Sequence, residues 1–215
     1  MKNIIIFTLV LTSQLALAGE KGNGGDAVVC RDAESVITRA TVLDLSEMIQ
    51  GPGVSLKSEE EMNSFINLKV ASLMTCRPSL FSGVAAEAAR LSLAIDSYLQ
   101  QGVQTDAGIS FVESLGDITD SKHSNDQLPN NCQVEQLVKR LDDPSLHTST
   151  YQIASPILEK LDYKNRAAII LHEAVYKAMH LRGRHNNSFQ VRRLVAQLFE
   201  GPELTKATTQ GLCRN

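Results

Sequence analysis

Apolar positions along this chain recur in two rhythms, one of helices and one of strands. Met62, Phe65, Ile66, Leu68, Val70, Ala71 and Met74 follow a helical repeat. Ser58 and Glu61 form a capping box ahead of them, so the spacing predicts a helix from Ser58 to about Cys76, stopped by Pro78. An Ala/Leu-rich run from about Ser79 to Gln101 predicts a second long helix, closed by Gly102. Alternation takes over elsewhere. Asp26–Asp32 and Ser35–Leu45 alternate and carry β-branched residues (Val28, Val29, Val36, Ile37), which predicts a β-hairpin. A short helix from Asp44 follows, ended by Gly51-Pro52-Gly53. Segments 109–113, 132–141 and 148–153 read as further strands.

The last third is helical in pattern. Ser155-Pro156 suits an N-cap followed by proline at the first helical position, opening a short helix to Leu161. Asp162 caps a helix to about Leu181, with Gly183 as its stop. Asn187 caps a final helix whose apolar residues are Val191, Leu194, Val195 and Leu198. Together these elements predict an α+β domain: a small, mostly antiparallel sheet packed against four to five helices.

The first eighteen residues change where the chain is expected to work. Lys2, the apolar run Ile4–Leu11 and Ala16-Leu17-Ala18 before Gly19 have the form of a cleavable targeting segment. The expected organisation is a signal peptide over 1–18, a flexible glycine-rich leader over 19–25, and one domain over 26–215. Four cysteines, Cys30, Cys76, Cys132 and Cys213, fit two disulfides in an oxidising compartment, with three pairings open. No CxxC is present to bind zinc or to run redox chemistry. The formal net charge of −3 becomes one unit more negative without Lys2, which argues against nucleic acid and anionic membrane as general partners.

Candidate chemistry concentrates in Ala167–Tyr176, an aliphatic helical run carrying His172-Glu173. At Leu171-His172-Glu173 the chain resembles the active-site helix of zinc hydrolases of the HExxH kind. There two histidines four residues apart share one helix face, and the glutamate serves as general base to metal-bound water. This chain has Tyr176 at the second histidine's place. His180 lies eight residues beyond His172, about 12 Å along a straight helix and roughly 80° around it, so the two should not share one zinc. The expectation is therefore no assigned metal ligand, with His172 or Glu173 as the general base of an envelope hydrolase on one reading. On the other, a half-buried histidine meets backbone or a carboxylate beside a solvated Glu173. A helical projection gives a buried stripe of Ala168, Leu171, Ala174, Val175 and Ala178, with Glu173 turned toward Lys177. His180, Arg182, Arg184, His185, Arg192 and Arg193 make the end of this helix and the next one basic, either to complement the helix dipole or to bind an anion.

A second resemblance spans most of the chain. Gly22-Asn23-Gly24-Gly25-Asp26 leading to Cys30, Leu43-Asp44-Leu45, Leu128-Pro129 before Cys132, and the Leu171–Tyr176 helix followed by Ser188 and Arg192 look like a group of exported bacterial proteins with no assigned activity. The resemblance implies a periplasmic or secreted bacterial protein. It also implies that His172, Glu173, Tyr176, Ser188 and Arg192 form one constellation if the last two helices pack antiparallel.

Overall fold

A computed structural model describes residues 21–22, 25–48, 53–115, 128–143, 148–180 and 188–200. The expected targeting segment, the Asn187 cap, the Gly183 stop and Cys213 lie outside these residues. The described chain is α+β, with two small sheets rather than one.

One sheet has three strands in the order β3-β2-β6, where β2 is Asp26–Arg31, β3 is Ile37–Val42 and β6 is Cys132–Gln136. The hairpin of β2 and β3 is the one the alternation predicts. The other sheet runs β1-β7-β8-β5-β4, formed by Lys21–Gly22, Val138–Asp143, Thr148–Ala154, Ile109–Val112 and Thr105–Asp106. Among the described residues only β5 and β8 pair in parallel, and the other pairings are antiparallel.

The two sheets are halves of one bent ladder. Lys21 faces Leu141 and Gly22 faces Arg140 in one sheet, while Asp26 faces Gln136 and Cys30 faces Cys132 in the other. The register is the same on both sides of the bend. Segment 132–141, expected as one strand, therefore splits at the fully buried Leu137. Gly25 sits at that bend, and its carbonyl accepts from the N–H groups of both Leu137 and Val138. The leader is thus tied down at two points and is no free tether: Lys21–Gly22 are a strand, and Gly25 is buried. A Cβ at Gly25 would lie 2.0 Å from Cδ1 of Ile169, so close approach explains the glycine.

The helices follow local signals closely. α1 is Leu43–Met48; α2, Glu59–Cys76, starts where Ser58 Oγ accepts from the Glu61 N–H at 3.2 Å. Glu61 completes the cap through the Lys57 N–H rather than that of Ser58. The run expected as one helix over 79–101 is two, α3 (Pro78–Phe81) and α4 (Val84–Gln101), parted at Ser82-Gly83. Gly102 ends α4 with φ of +70°, a left-handed cap that disfavours any residue with a Cβ. α5 is Ser155–Leu158, α6 is Tyr163–His180 and α7 is Phe189–Phe199. Asp162 caps α6 by accepting from the Asn165 N–H at 2.8 Å.

α6 is the axis of the domain, packed by α2, α3, α4, α7 and α1. Every residue from Ala167 to Tyr176 is buried, so the single predicted stripe understates what this helix covers. A helix enclosed on all sides must find internal partners for each polar group it carries. A second, smaller apolar cluster of Val28, Cys30 and Leu43 lies on the far side of the three-stranded sheet. There Cys30 and Cys132 form a disulfide. Cys76 is oxidised as well.

Candidate functional site

His172 and Glu173 carry the polar groups of the most enclosed turns of α6, and both are essentially without solvent contact, at 0% and 1% exposure. His172 Nδ1 donates to Oδ2 of Asp44 at 2.8 Å, and Asp44 is itself fully buried. Asp44 reaches this position because α1 starts directly after β3, between Leu43 and Leu45, which point into apolar surroundings. Glu173 Oε1 accepts from the Gly25 N–H at 2.6 Å. The two neighbours on α6 thus hold two different parts of the N-terminal region.

Burial alone would disfavour the charged form of His172, but the charges of Asp44, Glu173 and Asp26 overcome it and raise its pKa above the ordinary value. Burial raises the Glu173 carboxyl, against the opposing pull of His172, Arg140 and the Gly25 N–H. Both shifts come from one enclosed group of charges, in which each side chain sets the ionisation of the next.

The group continues along α6. Tyr176 lies between two imidazoles, its ring centroid 6.1 Å from that of His172 and 5.8 Å from that of His180, with the planes nearly parallel. The guanidinium of the fully buried Arg140 sits 4.3 Å from the Tyr176 centroid, and its Nε donates to both carboxylate oxygens of Asp142. Asp142 also accepts from Ser149 Oγ at 2.6 Å, and His180 Nε2 lies 3.7 Å from it. Tyr151 is buried nearby, its phenol pushed well up by burial and then by the charges of Glu173 and Glu87.

Several expectations need correction here. Glu173 is not solvated and does not pair with Lys177; Lys177 instead reaches Glu87 at 2.7 Å. His172 is wholly rather than half buried, although a carboxylate is its partner as one reading held. Ser188 and Arg192 are buried at the start of α7, which packs against both α6 and α1. The polar contacts of the His172-Glu173 pair run to Asp44 and Gly25 rather than to these two residues.

Asp44, Arg140 and Gly25 complete the group and were not among the candidate residues. Asp44 had a signal, a carboxylate set between two leucines at a helix start. Arg140, in a strand that follows Leu137-Val138, had a weaker one. Their convergence on α6 depends on pairings 128 and 148 residues long, which no local pattern carries.

The donor set for zinc does not fit. Tyr176 stacks between the two histidines, Arg140 stands close enough to Glu173 to pull on its ionisation, and no three His, Cys, Asp or Glu side chains are placed to hold a metal ion among the described residues. Compared with known proteins, the chain matches no protein-family model, no curated protein and no solved structure.

Proposed function

We propose that this is an exported bacterial binding domain, periplasmic or secreted, in which the His172-Glu173 pair organises the fold and performs no catalysis. The observation that carries this reading is the burial of both side chains together with their bonds to Asp44 and Gly25. A general base must come within hydrogen-bond reach of the proton it takes. Here the faces that would meet a substrate are occupied by the chain's own N-terminal region. The Cys30–Cys132 disulfide supports the exported part of the reading, as does the form of residues 1–18.

One observation favours a second reading, a degenerate zincin-like hydrolase. Nε2 of His172 and Oε2 of Glu173 are buried and accept or donate no hydrogen bond among the described residues. A carboxylate on Nδ1 with Nε2 left over is also how metal-binding histidines are commonly oriented. Against it stands the donor set, which supplies no third ligand among the described residues.

The two readings part in one experiment. Glu173→Gln and His172→Asn proteins are purified from the cell envelope and from the medium, and their melting and hydrolysis of peptide and glycan substrates are compared with the parent. Fold organisation predicts lower melting points and no hydrolysis in any of the three. A hydrolytic activity lost in a Glu173→Gln protein that melts like the parent overturns the proposal. For export, an N-terminus at Gly19 found by mass spectrometry is the expected result, and retention of residues 1–18 on cytosolic protein is the contrary one.

A further inference from the structure

Away from the buried charges, a cleft of about 130 Å³ opens between the strand ends of the two sheets. Ile37, Ala154, Pro156 and Ile157 give it apolar lining, while Arg31, Glu113 and Glu135 place charges on its walls, and most of the exposed lining is polar. Arg31 is committed: both its terminal nitrogens bond the Glu135 carboxylate, and that pairing raises the one group's pKa and lowers the other's. Glu113 is exposed and makes no hydrogen bond or ion pair among the described residues. Among the described residues it is therefore the uncommitted charge of the cleft, and it is negative.

Size narrows the occupant. Pockets that enclose whole small molecules run from about 300 to 1,000 Å³. A cleft of this volume takes one side chain. Apolar lining beside a carboxylate matches lysine, whose methylene stem packs on apolar surface while its ammonium pairs with the charge. The wall formed by Glu135 and Gln136 belongs to β6, the edge strand of its sheet, which pairs only with β2 among the described residues. An edge strand beside a side-chain cleft is the arrangement by which extended peptides bind, with main-chain bonds for affinity and the cleft for choice.

We propose that this cleft binds a lysine side chain of an extended peptide laid along β6, with Glu113 pairing the ammonium. The site rests on the reading of the protein as a binding domain and lies outside the His172-Glu173 group.

The test uses the full processed chain and two blocked pentapeptides with β-branched flanks, one with a central lysine and one with norleucine. Norleucine keeps the methylenes and lacks the ammonium. Calorimetric titration is expected to show the lysine peptide binding at least tenfold more tightly. Glu113→Gln is expected to bring the two affinities together, while Glu34→Gln, an exposed acid off the cleft, preserves the difference. Equal affinities in the parent protein, no saturable binding, or a preference that survives Glu113→Gln each overturns the site. Cleavage of the lysine peptide, read by mass spectrometry, overturns the binding-domain reading and leaves the cleft standing.

Discussion

Gly25 donates its backbone N–H to Glu173 across 148 residues of sequence, so the single carboxylate of α6 is held by the residue where the two sheets bend apart. The same glycine carbonyl receives Leu137 and Val138. One residue without a side chain therefore joins the leader, both sheets and the central helix.

Gly25→Ala should be costly. Its Cβ would fall on Cδ1 of Ile169 and near Oε1 of Glu173, so the end of the buried Ile169 side chain must move. Overpacking of this kind costs about 1–3 kcal/mol. Urea unfolding followed by circular dichroism is expected to show that loss, and a midpoint equal to the parent's would refute the close approach.

Glu173→Ala and Glu173→Gln should separate. Alanine leaves the Gly25 N–H without its acceptor and removes a charge facing Arg140, a loss of about 3 kcal/mol. Glutamine keeps an acceptor carbonyl and should lose about 1 kcal/mol. The order of the two midpoints is the measurement that matters; glutamine falling below alanine would contradict the bond to Gly25.

Stability should decline as the pH rises through neutrality. The folded pKa of His172 lies above 6.5, so its contribution is whole below that value and is lost as the pH climbs through the raised one. Glu173 is raised above 4.5 and acts in the same direction. Urea midpoints taken from about pH 7 to about pH 9 are expected to fall, and His172→Gln to flatten that slope. An unchanged slope in the variant would assign the dependence to other groups.

Asp96 offers a stabilising change. Its carboxyl is pushed up to about 6 by burial and by the charge of Glu59, against the pull of Arg166. A raised carboxyl adds stability below its unfolded value of 3.8 and loses it as the pH passes about 6. At pH 8 the ionised pair repels across α2 and α4. Asp96→Asn should then raise stability by about 0.3 kcal/mol, the small scale expected of a partly exposed pair. The gain should vanish near pH 4; a loss at pH 8 would count against the repulsion.

Replacing Cys30 and Cys132 by serine frees a loop closed over a sequence separation of 102. Chain-entropy arguments put the cost at about 4–5 kcal/mol for a loop of that order. Denaturant unfolding of the double variant checks the size, and a loss under about 1 kcal/mol would mean the bent ladder already holds these strands together.

The elements visible in the sequence were those with local causes. Ser58 and Asp162 cap the helices they precede, and Gly102 stops α4 because a left-handed residue is needed there. The Ser82-Gly83 break is hidden because helical apolar spacing runs through it from Leu80 to Ala88, while the Leu137 bend leaves only a local mark, the change of alternation at Gln136-Leu137-Val138. His172 and Glu173 stood out as polar residues in an aliphatic run, but their surroundings were illegible. Periodicity compares neighbours on one helix and says nothing of Asp44 or Gly25 arriving from the other end of the chain. For the same reason Glu173 looked like Lys177's partner, until α4 supplied Glu87 instead.

The ladder that pairs Lys21 with Leu141 and Cys30 with Cys132 also governs the order in which this protein can be finished. Its first strands have partners made more than a hundred residues later. A chain that emerges from its N-terminus can close the β2–β3 hairpin early, but neither sheet is complete until more than half the polypeptide has emerged. Pairings so distant in sequence slow folding, because the intervening chain must be ordered before they form. Closure of both sheets therefore waits on strands made more than a hundred residues after their first partners.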